Sequence, residues 1–352
     1  MTNKITMQQI ADQLGVSKYV VSKALSGKKG VSESTKERVI QVASQLGYFA
    51  QSSGYLKPGR TSREEKAQQE SDRRQSILVL MPNIRFQTRD SVYWGRILDG
   101  ITSRLEDKGI GMIIVMEQKV DSFMHLLKPE AILGMIGVGE VASGMLLEIH
   151  RLGVPMVLVD HEDPLIPTDT VFVNNYDGMY RLTKHLIGIG HRSIGFIGNI
   201  RYSQSFFDRW NGFRIAMEEF GLWSGLDHFT DLESMEHFDE PIKAWLQRCK
   251  KQRTLPTAII GANDSIAIDA YRAMRELGMD VPSDISLSGF DNIEDSVRHY
   301  PPLSTVNVPK EALGARAVDK LLERIDRSNE PMEKILVRGE IVFRQSTAPV
   351  KA

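Results

Sequence analysis

Only one cysteine, Cys249, occurs in the 352 residues of the sequence. A single thiol cannot form an intrachain disulfide or supply a cysteine-based zinc or iron–sulfur site, so we interpret Cys249 as a packing or surface residue. Long apolar segments are also missing. No run of about 18 uncharged apolar residues occurs, and the first residues are polar where a secretion signal needs an apolar stretch. These absences predict a soluble, cytoplasmic protein without a membrane partner.

Motifs of nucleotide binding and catalysis are missing as well. The glycine-rich segments GMIGVGE and GIGHRSIGFIG lack Gly-x-Gly-x-x-Gly spacing between a strand and a helix, and no Walker lysine loop or Gly-x-Ser-x-Gly turn occurs. The eight histidines are scattered, and the cluster His161-Glu162-Asp163 consists of neighbours on a loop, which rarely converge on one metal ion. We therefore expect no enzyme activity, no cofactor and no metal.

Charge is distributed unevenly along a chain whose net charge is −1. Residues 1–57 contain eight basic and three acidic residues, a net charge of +5, which leaves −6 for the rest. A basic segment attached to a larger acidic part predicts one module that faces a polyanion and another with a different role. The length of the chain itself predicts two or three domains.

The basic segment has the pattern of three short helices. Thr6 and Gln9 fit a capping box at the start of the first. Ser17 is a candidate N-cap for the second, and Ser34 with Glu37 can cap the third. The apolar positions of the three helices are Met7, Ile10, Ala11 and Leu14, then Val21, Ala24 and Leu25, then Val39, Val42, Ala43 and Leu46.

Two helices joined by a short turn containing Gly15, with a third helix closing the core, form a helix-turn-helix arrangement. The exposed face of the second helix then carries two i, i+4 pairs, Lys18 with Ser22 and Tyr19 with Lys23. Such a face offers hydrogen-bond donors to bases and phosphates in a major groove. A solvated face on a small helical bundle is the alternative that periodicity leaves open.

After residue 51 the apolar content falls, and up to residue 76 glycine, proline, serine and charged residues dominate, a composition typical of a linker. Beyond it, short apolar runs alternate with amphipathic helical patterns, which predicts doubly wound parallel sheets. Roughly eight to ten strands favour two sheets over one, with a ligand site in the cleft between them. The apolar runs are 77–81, 112–116, 131–133, 156–159, 171–173, 194–197, 258–260 and 285–287.

Several motifs along the chain are specific to one family. In the basic segment they are IA (10–11), LGVS (14–17), VSKAL (21–25), VS (31–32), Thr35, RV (38–39) and LGY (46–48). In the core they are HLIGIGHRSIGFIGN, DRWNGF, PTAIIGANDSIAIDA, VPSDISLSGFD, PPLSTV and FRQST. Through these motifs the chain resembles bacterial transcription regulators of the LacI/GalR family along nearly its whole length. The resemblance implies an all-α helix-turn-helix headpiece joined to an α/β core of two doubly wound parallel-sheet subdomains, of the periplasmic-binding-protein type, that senses a small molecule.

For the headpiece, the resemblance implies that Lys18 and Tyr19 read operator bases while Ser22 and Lys23 assist at bases and phosphates. The remaining residues of the DNA-binding set are Thr6, Ser17 and Lys28, together with Leu56 in the hinge. The sequence departs from the family pattern at two positions, since Val20 replaces the usual threonine and Lys23 the usual arginine. A lysine lacks the bidentate guanidinium fork, so we expect a geometrically less specific contact there.

The hinge departs further from the family pattern. Family members usually have a proline after the tyrosine, then a short helix whose leucine wedges into the minor groove, whereas this chain reads YFAQSSGYL at 48–56. Gly54 weakens a helix by about 1 kcal/mol relative to alanine. Leu56 lies one position early, and the linker after it is roughly a dozen residues longer than usual. Leu56 can act as the wedge or pack on the headpiece, and the sequence leaves both open.

For the core, the resemblance points to a set of effector-binding residues, Asp160, Asn175, Arg209, Asn263 and Asp291. They suit a hydroxyl-rich ligand because carboxylates accept hydrogen bonds from hydroxyls and arginine clamps pairs of oxygens. Phe86 and Trp94, with Tyr93 beside them, lie where the family often has ligand-facing aromatic residues; stacking on a sugar and core packing are both open for Trp94. Asp264 and Asp291 could instead cap helices.

The predicted domains are a headpiece with hinge at 1–56, a charged linker at 57–76 and an effector-binding core at 77–352. Within the core we expect an N-subdomain at about 77–176 and 305–335 and a C-subdomain at about 177–304 and 336–352. The resemblance implies a homodimer that binds a pseudo-palindromic operator, represses carbohydrate genes and closes around a sugar-like effector. The end of the chain shortly after FRQST favours a dimer without a tetramerising helix.

Two alternatives remain at this stage. One is a soluble sugar-binding module whose headpiece does not bind DNA, against which the positive charge of the headpiece and the missing signal sequence count. The other is an α/β enzyme acting on a sugar, with Asp160 and Asp291 as an acid–base pair. Two carboxylates in a sugar cleft bind more often than they catalyse.

Overall fold

The computed structural model describes residues 6–25, 32, 35, 38–39, 42–43, 76–85, 87–116, 132–223, 228–230 and 238–350. The chain divides into two compact units, Met1–Gln69 and Glu70–Ala352, and the division falls within the segment predicted as a linker. The predictions for Lys28, for Leu56 and the hinge, and for Phe86 lie outside the described residues. In the described part of the chain, no helix is long and apolar enough to cross a membrane.

The first helix of the N-terminal unit, α1 (Met7–Leu14), has the predicted capping box. The Thr6 hydroxyl accepts the N–H of Gln9 at 3.4 Å, and the Gln9 side chain accepts the N–H of Thr6 at 2.7 Å. At the other end, Gly15 adopts a left-handed conformation with φ 66°, which a residue without Cβ adopts readily. The predicted start and stop of this helix are therefore confirmed.

The second helix, α2 (Lys18–Leu25), begins after Ser17, whose hydroxyl accepts the N–H of Val20 at 3.3 Å. For the third predicted helix, the described residues between 35 and 43 are helical. Its described cap is Ser32, which accepts the N–H of Thr35 at 3.3 Å, whereas the predicted Ser34–Glu37 cap lies outside the described residues. All three segments contribute to one small buried cluster, namely Ile10, Ala11, Val21, Ala24, Val39 and Ala43.

The second unit alternates strands and helices. Its strands are β1 (Ser76–Leu80), β2 (Gly111–Val115), β3 (Ile132–Val138), β4 (Met156–Val159), β5 (Asp169–Val173), β6 (Ile194–Ile197), β7 (Ala258–Gly261), β8 (Ser286–Asp291), β9 (Ser304–Asn307), β10 (Lys334–Val337) and β11 (Glu340–Val342). Its helices are α3 (Trp94–Asp107), α4 (Ser143–Arg151), α5 (Asn175–Gly188), α6 (Gln204–Glu219), α7 (Asp239–Gln252), α8 (Asp264–Glu276), α9 (Glu294–Arg298) and α10 (Lys310–Asp326).

These strands form two sheets, as predicted. The first has the order β10-β5-β4-β3-β1-β2 and all its strand pairs are parallel; the second has the order β11-β9-β8-β7-β6. The second sheet departs from the prediction of parallel sheets, because β11 pairs with β9 in antiparallel orientation. Apolar side chains on both faces of the first sheet are buried, with Leu78 and Leu80 in a cluster that contains α4 residues and Ile77 and Val79 in the larger cluster that contains α3 residues.

Over the described residues of this unit, the chain passes between the two sheets three times. The first passage follows β5, the second lies between β9 and α10, and the third lies between β10 and β11. The predicted subdomain boundaries at about 304/305 and 335/336 fall inside β9 and β10 and need correction by a few residues. Because β9 pairs with β8 and β11, residues 305–307 belong to the second subdomain, and because β10 pairs with β5, residues 336–337 belong to the first.

Close helix packing fixes the start of α3, which borders the cleft between the sheets. A Cβ on Gly314 of α10 would lie 2.1 Å from the carbonyl oxygen of Ile97, and a Cβ on Gly100 of α3 would lie 2.0 Å from that of Glu311. No side chain fits at either position, so glycine allows the two backbones to approach. The contact holds α3, and with it Tyr93 and Trp94, against the rest of the first subdomain.

Candidate ligand-binding cleft

A cavity of about 220 Å³ lies between the two sheets of the second unit, beyond the carboxyl ends of their strands. This is where parallel α/β sheets ordinarily bind ligands. The first subdomain contributes Arg85, Ser91, Val92, Tyr93, Trp94, Glu140 and Asp160. The second contributes Tyr202, Ser203, Ser205, Phe206, Arg209, Phe238, Asn263, Ser265, Asp291 and Ile293. The structure thus brings five of the seven predicted effector residues, Trp94, Asp160, Arg209, Asn263 and Asp291, to one cavity.

Arg209, on α6, is 2% exposed and makes three separate contacts with its guanidinium. Nε donates to Oδ1 of Asn175 at 2.8 Å, Nη1 donates to the carbonyl of Ala262 at 2.9 Å, and Nη2 lies 2.9 Å from Oδ1 of Asp291. The ring of Phe290 lies 3.9 Å from the guanidinium carbon. Asn175 therefore lies behind Arg209 and orients it, and it is not among the residues that line the cavity.

Asp291 ends β8 with φ 110°, a left-handed conformation that is costly for a residue with a side chain. The ammonium of Lys310 donates to its backbone carbonyl and thereby stabilises this conformation. Although Oδ1 is close to Arg209, no described residue gives it a well-aligned hydrogen bond. Burial raises the pKa of Asp291, while the cations of Arg209 and Lys310 oppose the rise. A buried carboxylate oxygen at the cavity is thus available to a ligand donor.

Asp160 follows β4, also with a positive φ of 54°, and connects the two subdomains. The hydroxyl of Ser205, on α6, donates to its Oδ1 across the cleft. Burial raises the pKa of Asp160 to about 6, and the hydrogen bond from Ser205 and the charge of Arg209 limit the rise. At neutral pH this side chain is therefore mainly a carboxylate that can accept hydrogen bonds.

Tyr93 and Trp94 lie side by side at the start of α3, with ring centroids 4.9 Å apart and the planes at 87°. Ser91 accepts the N–H of Trp94 at 3.2 Å, which fixes the first turn of the helix. Trp94 borders the cavity and also packs against the core, so the two roles left open by the sequence are compatible. The Tyr93 hydroxyl is buried with no hydrogen-bond partner among the described residues, and burial raises its pKa well above the ordinary value.

Asn263 and Asp264 have different roles at the start of α8. Asn263, which borders the cavity, is the N-cap, since its side chain accepts the N–H of Ile266 at 2.9 Å. Asp264 is fully buried and accepts from the Thr305 hydroxyl at 2.6 Å and from the N–H of Ile293 at 2.9 Å. The N-cap of α8 is therefore Asn263, whereas the alternative given by the sequence was Asp264. Asp264 instead connects α8 to two other segments.

The buried Asp264 makes stability dependent on pH. Burial, reinforced by the nearby Asp291, raises its pKa from 3.8 to about 7. The native state then binds more protons than the unfolded state between about pH 4 and pH 7, so its contribution to stability falls as pH rises through this window. Asp264→Asn resembles the protonated acid in shape and does not titrate. Between pH 5 and pH 8 we therefore expect its free energy of unfolding to fall by about 2 kcal/mol less than that of the wild-type protein.

Urea unfolding of both proteins at pH 5 and pH 8 measures this difference. Asp326→Asn, which removes the same charge from the exposed last residue of α10, is the matched control and should retain the wild-type pH dependence. An unchanged pH dependence in Asp264→Asn would contradict the assignment of a protonated carboxyl at this position.

Several cavity residues were not predicted, foremost Arg85 and Glu140. They form an ion pair, and the guanidinium carbon of Arg85 lies 4.9 Å from the ring centroid of Tyr202 across the cleft. Arg85 follows β1 and Glu140 follows β3, so a strand-end criterion could have found both. Tyr202, Ser205 and Phe206 precede or begin α6, and no pattern in the sequence sets them apart.

Two residues of the cluster His161-Glu162-Asp163 are bound to other protein groups. Asp163 accepts from the Ser143 hydroxyl at 2.6 Å and from the N–H of Leu165 at 2.8 Å. Glu162 forms an ion pair with Lys334. Over the described ranges, no group of three or more histidine, cysteine or acidic side chains is placed to hold a metal ion.

In the N-terminal unit, the residues predicted to read DNA lie on one face of α2. Tyr19 is 71% exposed, Lys18 and Ser22 are exposed, and the ammonium of Lys23 lies 5.6 Å from the Tyr19 ring centroid. The buried positions of α2 are on the other side, in the cluster with α1. Of the remaining predicted DNA-binding residues, Thr6 and Ser17 are the exposed N-cap residues of the two helices.

Two family models match the chain in the order that its architecture requires. Residues 6–51 match the model for bacterial regulatory proteins of the lacI family, and residues 183–347 match that for a periplasmic binding protein-like domain. The first model covers the helix-turn-helix unit. The second covers the second subdomain together with α10 and β10 of the first. The expected fold class, an all-α helix-turn-helix headpiece joined to an α/β core, is confirmed.

Relatives and solved structures match over almost the whole length. The chain is 29% identical to the transcriptional repressor PurR of Pasteurella multocida, over 97% of this chain and 98% of that protein. It is 29% identical to the ribose operon repressor of Haemophilus influenzae, over 98% and 99%. The structure of the lac repressor dimer bound to operator and the anti-inducer ONPF shares the fold, with a TM-score of 0.66 and 22% identity over 98% of this chain and 100% of that one. The chain thus contains a domain of the lacI family of bacterial regulatory proteins at residues 6–51 and a periplasmic binding protein-like domain at residues 183–347.

Proposed function

We propose that the protein is a transcriptional repressor that acts on DNA in the cytoplasm. Its affinity for the operator falls or rises when a sugar-like effector binds in the core. In this proposal a homodimer places two headpieces on a pseudo-palindromic operator of carbohydrate genes. The observation that carries it is the occurrence, in one chain, of an exposed basic and aromatic helix face and a buried Arg209–Asp291 pair in a cleft.

The DNA-binding part of the proposal rests on α2. Lys18 and Tyr19 project from its first turn, where a recognition helix contacts base edges, and Ser22 and Lys23 follow one turn later. Thr6 and Ser17 cap helix N-termini, which commonly approach backbone phosphates. We assign base contacts to Lys18 and Tyr19, and positioning on phosphates to Thr6, Ser17 and Lys28.

The effector part rests on the cleft between the subdomains. Asp160 and Asp291 offer carboxylate oxygens to hydroxyl groups, and Trp94 offers an aromatic face. Ser205 bonds Asp160 and Tyr202 stacks with Arg85, so both contacts join one subdomain to the other. A ligand bound between these groups stabilises one arrangement of the subdomains relative to the other, which is the requirement for an allosteric signal. The name of the ribose operon repressor supports a sugar as the ligand class.

We further propose that the cleft binds its ligand without converting it. A general acid or nucleophile needs a side chain that is free to approach the reacting atoms. Of the acid–base pair considered above, Asp160 accepts a hydrogen bond from Ser205 and Asp291 is ion-paired with Arg209, so we assign both to ligand binding. Incubation of the pure protein with candidate sugars should return them unchanged.

Selection of duplexes from a random DNA pool, with the full-length protein at a stated salt concentration, tests the DNA-binding function. We expect enrichment of a palindrome with a fixed centre, because two identical headpieces in a dimer read two inverted half-sites. A failure to enrich any sequence would contradict the proposed function and favour a ligand-binding module that does not use DNA.

A further inference from the structure

The charged groups of the cleft are paired in a way that bears on which ligands it accepts. The described lining contains two guanidiniums, Arg85 and Arg209, and three carboxylates, Glu140, Asp160 and Asp291. If all are ionised, the cleft has one more negative than positive charge. The charge balance therefore favours an uncharged ligand over an anion, provided that no cation is left without a protein partner.

Both guanidiniums have protein partners. Arg209 is bound by Asn175, by the carbonyl of Ala262 and by Asp291, and its face is covered by Phe290. Arg85 is paired with Glu140 and stacked on Tyr202.

A further buried cation, which contacts the backbone of Asp291, is also satisfied by the protein. The ammonium of Lys310, which is 6% exposed, donates to the backbone carbonyls of Asp291, Asn292 and Val308. It is thus turned toward the backbone. A phosphate group entering the cleft would therefore meet cations whose charge is already balanced by a protein carboxylate or directed to backbone carbonyls.

Two carboxylate oxygens in the cleft can accept further hydrogen bonds. Ser205 donates to only one oxygen of Asp160 among the described contacts, and Oδ1 of Asp291 receives no aligned hydrogen bond from a described residue. Hydroxyl groups of a neutral ligand can donate to these oxygens. A phosphate ester carries a charge of about −1.5 to −2 at pH 7 and brings only acceptors, so it would meet the same oxygens with repulsion in a poorly solvated site.

The volume of the cleft also limits the size of the ligand. Its volume of about 220 Å³ is below the roughly 300–1,000 Å³ typical of sites for drug-sized ligands. Such a space suits one sugar ring rather than two.

We infer that the effector is an uncharged single-ring polyhydroxyl compound and that the cleft rejects the phosphate esters of the same sugars. The inference rests on the proposed function, because it specifies the ligand of the proposed effector site. In this proposal the cleft discriminates against phosphate esters because the described lining contains no unpaired cation. Selectivity therefore comes from exclusion of the ester as well as from attraction of the sugar.

The test measures the melting temperature and calorimetric binding of the full-length protein with uncharged pentoses and hexoses, each beside its phosphate ester, for example ribose with ribose 5-phosphate and glucose with glucose 6-phosphate. We expect at least one uncharged sugar to bind and its ester to bind at least about tenfold more weakly. An ester that binds as well as its parent sugar, or better, overturns the inference and leaves the proposed function standing. Binding of neither kind of sugar overturns the sugar effector of the proposed function together with the inference.

A charge variant tests the physical reason for the selectivity. Glu140→Gln leaves Arg85 without its carboxylate partner and removes the excess negative charge of the lining. The ratio of sugar to ester affinity should then fall by roughly threefold to tenfold. Glu148→Gln removes the same charge from the surface of α4, where Glu148 pairs with Arg151, and should leave the ratio at the wild-type value. An unchanged ratio in Glu140→Gln overturns the electrostatic explanation.

Discussion

Arg209→Ala is expected to abolish the response of DNA binding to the effector and to destabilise the core by about 3–5 kcal/mol. The guanidinium joins Asn175, Ala262 and Asp291 around the cleft, so its loss removes the group that organises the ligand contacts. It also leaves the buried Asp291 carboxylate without its counter-charge, which is the costly part of breaking a buried ion pair. Urea unfolding and operator binding with and without effector measure the two effects.

A double variant separates the two effects of this substitution. Arg209→Ala combined with Asp291→Asn removes both charges, and we expect it to recover much of the lost stability because no uncompensated buried charge remains. It should bind operator DNA and still fail to respond to the effector. An effector response of wild-type size in the double variant would refute the assignment of this cleft as the effector site.

Replacing Lys18 and Tyr19 together with alanine is expected to remove sequence preference while the headpiece stays folded. Base contacts in a major groove contribute about 1–3 kcal/mol each, so the loss of two should cost about 2–6 kcal/mol, or roughly 30- to 25,000-fold in operator affinity. Non-specific binding should persist, because it depends on phosphate contacts from the remaining basic residues. Both side chains are exposed and outside the buried cluster of the headpiece, so the fold should not depend on them.

Titration of operator and scrambled duplexes at one salt concentration, with circular dichroism as a check on folding, measures this effect. Gln13→Ala is the matched control, since Gln13 is an exposed residue of α1, outside the proposed recognition face. The control should keep the wild-type ratio of operator to scrambled affinity. If the double alanine variant keeps that ratio too, α2 does not read the operator.

How far the sequence predicts the fold depends on burial. The apolar runs at 156–159 and 194–197 coincide with β4 and β6, because strands buried on both faces are uniformly apolar. The pattern did not predict β10, an edge strand whose side chains are only half-buried or exposed, nor β11, which has three residues. The predicted subdomain boundaries fall inside β9 and β10, because neither strand was among the apolar runs predicted from the sequence.

The predictability of the cleft follows a different rule. Asp160 and Asp291 follow or end strands and belong to family motifs, so the resemblance and the strand-end criterion point to the same residues. The pairs Arg85–Glu140 and Asp160–Ser205 depend on how distant segments meet after folding, and no local pattern encodes such contacts. Which of Asn263 and Asp264 caps α8 and which is buried likewise depends on tertiary contacts. Asp264 is buried because it accepts hydrogen bonds from Thr305 and Ile293.

We expect a ligand in the core cleft to change the affinity of the headpiece for operator DNA. The most direct measurement is the dissociation constant of the wild-type protein for its selected operator, at fixed salt, with and without a saturating uncharged sugar. Allosteric coupling is typically about 1–3 kcal/mol, so we expect the two constants to differ by at least about fivefold. Equal constants with a sugar that demonstrably occupies the cleft would contradict the account, because the two sites would then be uncoupled.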